Sequence, residues 1–241
     1  MSRLQFAVCV LSFCAACAGP TSVDAGTAPA AVARESVKPG INKDYLDPDL
    51  DAEKFVQRFE TESREVFVER AAILAAAGPQ AGQRVADIGA GTGLFTVMFA
   101  DAVGPRGKVY GVDIAPAFVD RLAKLAAERG LSNIEGVVCG EDDVRLPPGS
   151  IDLAFVCDTY HHFEYPSASL ASIHRALRAG GELVVVDFQR IEGVSREWTL
   201  QHVRAGLEVV VREIEDAGFE RVEQAAPAGL RENYMLRFRR R

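Results

Sequence analysis

Two stretches of this chain combine residue types and spacings suited to chemistry. The first is Asp87-Ile88-Gly89-Ala90-Gly91-Thr92-Gly93, with Asp113 further on. Glycines at alternate positions let backbone turn tightly and allow a ligand close approach. The spacing is D-x-G-x-G-x-G. A dinucleotide cradle, G-x-G-x-x-G, needs a third glycine where this chain has Leu94 or Thr96, so that reading is disfavoured. Asp113 offers a carboxylate able to accept from two vicinal hydroxyls at once. The second stretch is Asp158-Thr159-Tyr160-His161-His162-Phe163. An imidazole titrates near neutral pH and suits proton removal. His161 or His162 is therefore the expected base, with Asp158 orienting it or Tyr160 shaping the pocket. The plainer alternative is one histidine packed on the sheet and its neighbour bonded to backbone. His161, His162, His202 and Asp187 could converge on one sheet edge, but their spacing fits no metal motif, and no metal is expected.

These residues need a frame to position them. Helical spacing of Phe55, Phe59, Val66, Ile73 and Leu74 predicts one or more helices over 49–77, stopped by Gly78-Pro79. Strands are then expected at 84–88, 108–113, 134–139, 151–158 and 182–188. Helices are expected between them at 94–103, 116–129 and 167–178, with another at 199–217. Two further strands, 219–225 and 230–238, close the chain. Apolar strands separated by helices dictate an α/β, doubly wound, mostly parallel sheet covered on both faces. Right-handed crossovers place every strand-to-helix loop on one edge, where ligands bind near the switch in strand order. The last two strands, joined by a short loop, are expected to be antiparallel.

From about Phe55 to Arg241 the chain resembles the class I S-adenosylmethionine-dependent methyltransferases, in the branch that acts on small molecules and lipids. The resemblance implies S-adenosylmethionine as cofactor and a small-molecule methyl acceptor. It sets Asp87, Gly89, Gly91 and Gly93 against the amino-acid and ribose parts of the cofactor, and Asp113 on both ribose hydroxyls. Gly140-Glu141-Asp142-Asp143-Val144-Arg145-Leu146-Pro147 matches the adenine segment with one extra residue, so Glu141 and Asp142 are both candidates for the adenine amino group. His161, His162 and Asp158 fall beside the transferred methyl. Tyr45, Arg64, Glu65, Trp198 and His202 occupy regions that roof the acceptor pocket. The family's seven-stranded sheet runs 3-2-1-4-5-7-6. Cys139 and Cys157 then end strands three positions apart, about 14 Å at ~4.8 Å per strand, beyond the ~7 Å a disulfide spans. Both are expected to be free thiols.

Composition bounds the alternatives. With 34 acidic and 27 basic residues the formal charge is −7, and 48% of residues are apolar. Such a chain is globular, and it lacks the positive field that would collect nucleic-acid phosphates. Arg237, Arg239, Arg240 and Arg241 read as a solvated tail. Arg3 precedes an uncharged run, Leu4–Ala18, too short to span a membrane but suited to an export signal. Ala16-Cys17-Ala18 permits cleavage before Gly19. Cys14-Ala15-Ala16-Cys17 resembles a lipoprotein box, and an acylated Cys17 would anchor the chain to a membrane. The expected organisation is a signal at 1–18, a flexible linker at 19–42, a helical cap at 43–80 and a methyltransferase domain at 81–241. The expected place is the periplasm or its membrane surface. The rival reading is an exported binding protein that keeps this fold without catalysis.

Overall fold

The computed structural model describes Met1 and residues 35–61, 64–222 and 226–241. The signal at 1–18 and the linker as far as residue 34 lie outside the described residues, Met1 apart. Residues 36–42, the end of the assigned linker, are held on the body. The Ser36 hydroxyl and the Gly40 N–H both donate to the Glu164 carboxylate, at 2.8 and 3.0 Å, and Lys38 Nζ donates to the His202 carbonyl at 2.6 Å.

The sheet has seven strands: β1 Arg84–Ile88, β2 Lys108–Asp113, β3 Ile134–Val138, β4 Ile151–Cys157, β5 Leu177–Phe188, β6 Phe219–Val222 and β7 Asn233–Arg240. Their order is β3-β2-β1-β4-β5-β7-β6, parallel except where β7 runs antiparallel to β5 and β6. This is the expected doubly wound α/β fold. Val85, Ala86 and Ile88 of β1 are buried because helices cover both faces of its parallel neighbours. Successive crossovers run outward from β1 through β2 to β3, and the chain then returns to β4 on β1's other side. The switch in strand order therefore lies between β1 and β4, where a crevice opens at the strands' C-terminal ends.

Helices fill the two faces. On one, α3 Arg70–Ala77 and α4 Leu94–Val103 pack Ile73, Phe95, Phe99 and Val103 onto Val85, Val109, Leu153 and Phe155. On the other, α6 Pro166–Ala176 and α8 Leu207–Asp216 bring Leu170, Ile173, Val210 and Ile214 to Val156, Leu183 and Leu236. The helix α5 Pro116–Arg129 begins with proline at its first turn and ends at Gly130 in the left-handed region, as its sequence dictates. The predicted 49–77 helical stretch is three helices, α1 Ala52–Phe59, α2 Glu65–Val68 and α3.

Three expectations need correction. The helix expected at 199–217 is two, α7 Glu197–His202 and α8, because Val203 leaves helical geometry with ψ 118°. The break is fixed by Arg204, which donates twice to Glu213 at 2.9 and 2.7 Å. It ends α7 at His202. Strand β5 begins at Leu177 rather than Glu182, with an irregular register between Ile151 and Leu153 of β4 that accommodates the Arg178–Gly181 turn. The arginines of the supposed tail are paired: β7 runs to Arg240, Arg237 and Arg239 meet Glu182, and Arg240 donates to the Leu177 carbonyl. Cys139 and Cys157 are free, as expected. Burial pushes the Cys139 thiol up to about 12 and raises the Cys157 thiol well above its ordinary value, so neither is a thiolate at neutral pH.

Candidate active site

The crevice at the β1–β4 switch is a cavity of about 390 Å³, within the size range of small-molecule sites. Its floor on the β1–β2 side is backbone. Gly89 ends β1 with φ +75°, and any Cβ there would overlap the Thr159 side chain. Glycine is thus required by both conformation and space where the loops after β1 and β4 meet. The Gly91 N–H donates to Asp113 Oδ2 at 2.8 Å, and the Ala115 N–H to Asp113 Oδ1 at 2.9 Å. Each Asp113 oxygen keeps acceptor capacity for a hydroxyl in the cavity. Burial lifts Asp113 to about 6, against the pull of these backbone donors. Asp87, also buried, is lifted to about 7, although the Thr96 hydroxyl donates to it at 2.6 Å.

Of the residues predicted to hold the cofactor, Asp87, Gly89, Gly91, Asp113 and Glu141 line this cavity; Gly93 and Asp142 do not. Gly93 instead starts α4, where a Cβ would stand 2.9 Å from Leu122. Of the two adenine candidates, only Glu141 faces the cavity. Its Oε1 accepts from the Asn42 amide at 3.3 Å. A nucleoside with vicinal hydroxyls and a positive sulfonium fits this donor set. The glycine turn leaves room beside the backbone, Asp113 has the acceptors that vicinal hydroxyls would need, and Asp87, Asp113 and Glu141 make that side of the lining acidic.

The β4–β5 side is assembled from side chains. His161, His162 and Asp158, the predicted catalytic residues, all line the cavity, as do Tyr45, Arg64, Glu65, Trp198 and His202. Asp158 does not orient a histidine. It sits at φ +48°, a strained conformation for a non-glycine, with its carboxylate taken by Arg64 and by the Asn233 amide at 2.6 Å. Burial raises it to about 6 against the Arg64 charge. The residue that orients His161 is Asp187 of β5. Its Oδ1 takes the Nδ1 proton at 2.7 Å and its Oδ2 the backbone N–H at 2.9 Å, so the bare nitrogen of His161 is Nε2. Tyr160 does not shape the cavity but lies in the core, its hydroxyl donating to Glu213 at 2.8 Å.

His162 packs edge-on against Tyr45 at 5.1 Å, and its Nδ1 meets Asn42 Oδ1 at 3.2 Å. Its Nε2 lies 3.3 Å from that of His202. Burial first, then neighbouring positive groups, depress His162 to about 2 and His202 to about 4, so both rings are neutral at pH 7. A base that weak takes a proton poorly, which leaves the Asp187-held His161 the better placed. Trp198 stacks on His202 at 4.7 Å and meets Phe188 edge-on at 5.4 Å, roofing this half. Glu65 acts as a clamp: its carboxylate accepts the backbone N–H groups of Arg231, Glu232 and Asn233 at 2.6–3.1 Å. Sequence reasoning missed Asn42 and Asn233 and misread Asp187, although an acid near a strand's end was the signal that found Asp113.

Comparison with known proteins meets this geometry. A family model described as "Methyltransferase domain" matches residues 86–185. Aklanonic acid methyltransferase DauC of Streptomyces sp. (strain C5) is 38% identical over 107 residues, 44% of this chain and 48% of that protein. The ubiquinone/menaquinone biosynthesis C-methyltransferase UbiE of Burkholderia cenocepacia (strain HI2424) is 28% identical over 122 residues, 51% of this chain and 50% of that one. The chain thus spans about half the length of these curated relatives. A SAM-dependent methyltransferase from Aquifex aeolicus shares the fold with TM-score 0.69 and 23% identity, covering 79% of this chain and 99% of that one. Residues 86–185, from β1 to β5, thus match a methyltransferase domain, on the fold that the Aquifex enzyme shares.

Proposed function

We propose that the chain transfers the methyl group of S-adenosylmethionine to a small molecule held between His161, Trp198, Phe188 and Arg64. The observation that carries this reading is that one cavity joins two sets of groups. Asp113 and the glycine turn face it from the β1–β2 side, and His161, held from behind by Asp187, from the β4–β5 side. When bound, the cofactor supplies an electrophilic methyl on sulfur. The chain's own part is to align acceptor and methyl and to exclude water, which lowers the barrier of an in-line displacement. His161 removes the acceptor's proton through Nε2, and Asp187 holds its tautomer and stabilises the ring once charged. The names of the two curated relatives, aklanonic acid in one and ubiquinone/menaquinone biosynthesis in the other, support a small-molecule acceptor.

Calorimetric titration with S-adenosylmethionine, S-adenosylhomocysteine and NAD tests the cofactor half. The expected result is saturable binding of the two sulfur compounds and none of NAD; a folded sample that binds neither sulfur compound removes the reading. We also propose export, on the pattern of residues 1–18. A Cys17→Ser precursor is expected to lose a lipid-labelled form, and equal labelling of both precursors disposes of the anchor.

A further inference from the structure

We propose that His161, His162 and His202 bind one divalent transition-metal ion, with Zn²⁺ the archetype, at the acceptor end of the cavity. The three imidazoles come from two elements, a single 3₁₀ turn after β4 and the end of α7, yet each offers a nitrogen within 4.8 Å of the others. Their ring centres lie 4.5, 5.1 and 5.1 Å apart. Zn–N bonds of about 2.0–2.1 Å at tetrahedral angles place two ligand nitrogens about 3.3 Å apart. The His162 Nε2 to His202 Nε2 separation is 3.3 Å.

The outer contacts have the arrangement that metal-binding histidines need. Asp187 holds the Nδ1 proton of His161. Asn42 does the same for His162: its amide nitrogen is committed to Glu141 and the His162 carbonyl, so its oxygen faces Nδ1. Both rings therefore turn a bare Nε2 inward, as a carboxylate or carbonyl partner on the far nitrogen enforces in metal sites. A hydrogen bond between His162 and His202 would account for their contact but not for the approach of the His161 ring to both. Chain spacing concealed the site, because His202 lies 40 residues beyond His162, on another element.

Three imidazole ligands and no carboxylate leave a fourth position, and the cavity that all three line supplies it. Zinc sites with three protein ligands and one open position are catalytic rather than structural. The open position selects a ligand with an ionisable oxygen or sulfur, whose O–H or S–H proton passes to solvent on coordination. That this ligand is the methyl acceptor rests on the function proposed above, with coordination taking the place of His161 as the means of removing its proton; the metal site itself does not rest on it.

The test uses tag-free full chain stripped with a chelator, then titrated with Zn²⁺ by calorimetry and with Co²⁺ by visible absorption. One ion per chain and the intense bands of low-coordinate Co²⁺ are expected. His162→Ala and His202→Gln should each abolish both signals, Asn42→Ala should weaken affinity by about 10–100-fold, and His174→Ala should change nothing. Circular dichroism identifies any variant that fails to fold, and His202→Gln preserves bulk beneath Trp198. Absent binding by wild type, or equal binding by a folded His202→Gln variant, overturns the site. Mercaptoethanol should shift the cobalt bands through sulfur; unshifted bands overturn the open position. S-adenosylhomocysteine titrated into the same samples separates the two readings, since its binding is independent of the histidines.

Discussion

The two sides of the cavity hold a ligand by different means. On the β1–β2 side the contacts are backbone plus one carboxylate: the Gly89–Gly91 turn, its N–H on Asp113, and Asp113 itself. Consecutive residues build nearly all of it. On the β4–β5 side the contacts are side chains from Asn42, Arg64, His161, His162, Asp187, Trp198 and His202, drawn from five separate segments. A backbone turn is rigid once its glycines are set and suits a ligand that never varies. A constellation of side chains can be altered one residue at a time, which suits an acceptor that differs between enzymes. The comparison predicts that substitutions on one side leave the other side's ligand untouched.

The largest expected effect is on the β4–β5 side. Asp187→Ala strips His161 of both its Nδ1 and its backbone N–H partner in a fully buried place. Breaking a buried pair from one side costs about 3–5 kcal/mol, to be read as the loss in urea unfolding free energy. Asp187→Asn, which keeps an acceptor oxygen, should recover part of that loss. Equal stability of wild type and the alanine variant would mean that His161 is held by packing alone.

Next comes Asp113→Ala, which removes two charge-assisted acceptors from the cofactor side. S-adenosylhomocysteine affinity should fall by about 2–4 kcal/mol in calorimetry. Binding within threefold of wild type would shift the recognition onto Glu141 and the glycine backbone.

The legibility of the two sides follows from their construction. Gly89, Gly91 and Asp113 could be read because a turn and the strand end beside it are local in sequence, and the parallel β1–β2 pairing brings them together. The parallel strands were likewise legible as apolar runs, β5 only from Glu182 onward, and the strand order followed from the resemblance. What escaped was set by tertiary contacts. The helix breaks over 203–206 although its apolar period continues; Gly206, the N-cap of α8, was the one local sign, and the Arg204–Glu213 pair that spans the break could not be read from it. Asp158 looked like the partner of the adjacent histidines, yet its backbone turns away to Arg64 and Asn233 while Asp187 arrives from the neighbouring strand. Asn42 lay in what read as a linker, because a polar segment gives no sign of the surface that will hold it. Such contacts appear only when β4, β5 and α7 are assembled.

A pH titration sharpens the cofactor side further. Asp113 sits at about 6, raised by burial, so it is ionised at pH 7 and protonated as pH falls through 6. The neutral acid loses acceptor capacity, and S-adenosylhomocysteine affinity should fall by up to about tenfold per pH unit below that point. Asp87 and Asp158 titrate nearby, at about 7 and about 6, but Asp113 is the one proposed to take the hydroxyls. Asp113→Asn should therefore bind weakly at all pH values and lose most of the slope. A slope retained in that variant would assign it to Asp87 or Asp158.

The smallest effect expected is the most discriminating about the division itself. Trp198 is half-exposed, stacks on His202 and touches Phe188, and no described contact links it to Asp113 or the glycine turn. Trp198→Ala removes two aromatic contacts, each worth about 0.5–1.5 kcal/mol when buried and less at this exposure. The unfolding free energy should drop by no more than about 1 kcal/mol. Affinity for S-adenosylhomocysteine should stay within twofold of wild type, because its contacts lie across the cavity. If that affinity fell tenfold instead, the roof over the acceptor end would be coupled to the floor beneath the cofactor. The cavity would then behave as one site closed by α7, with the α7–α8 break at Val203 as its hinge, rather than as a fixed half beside a variable one.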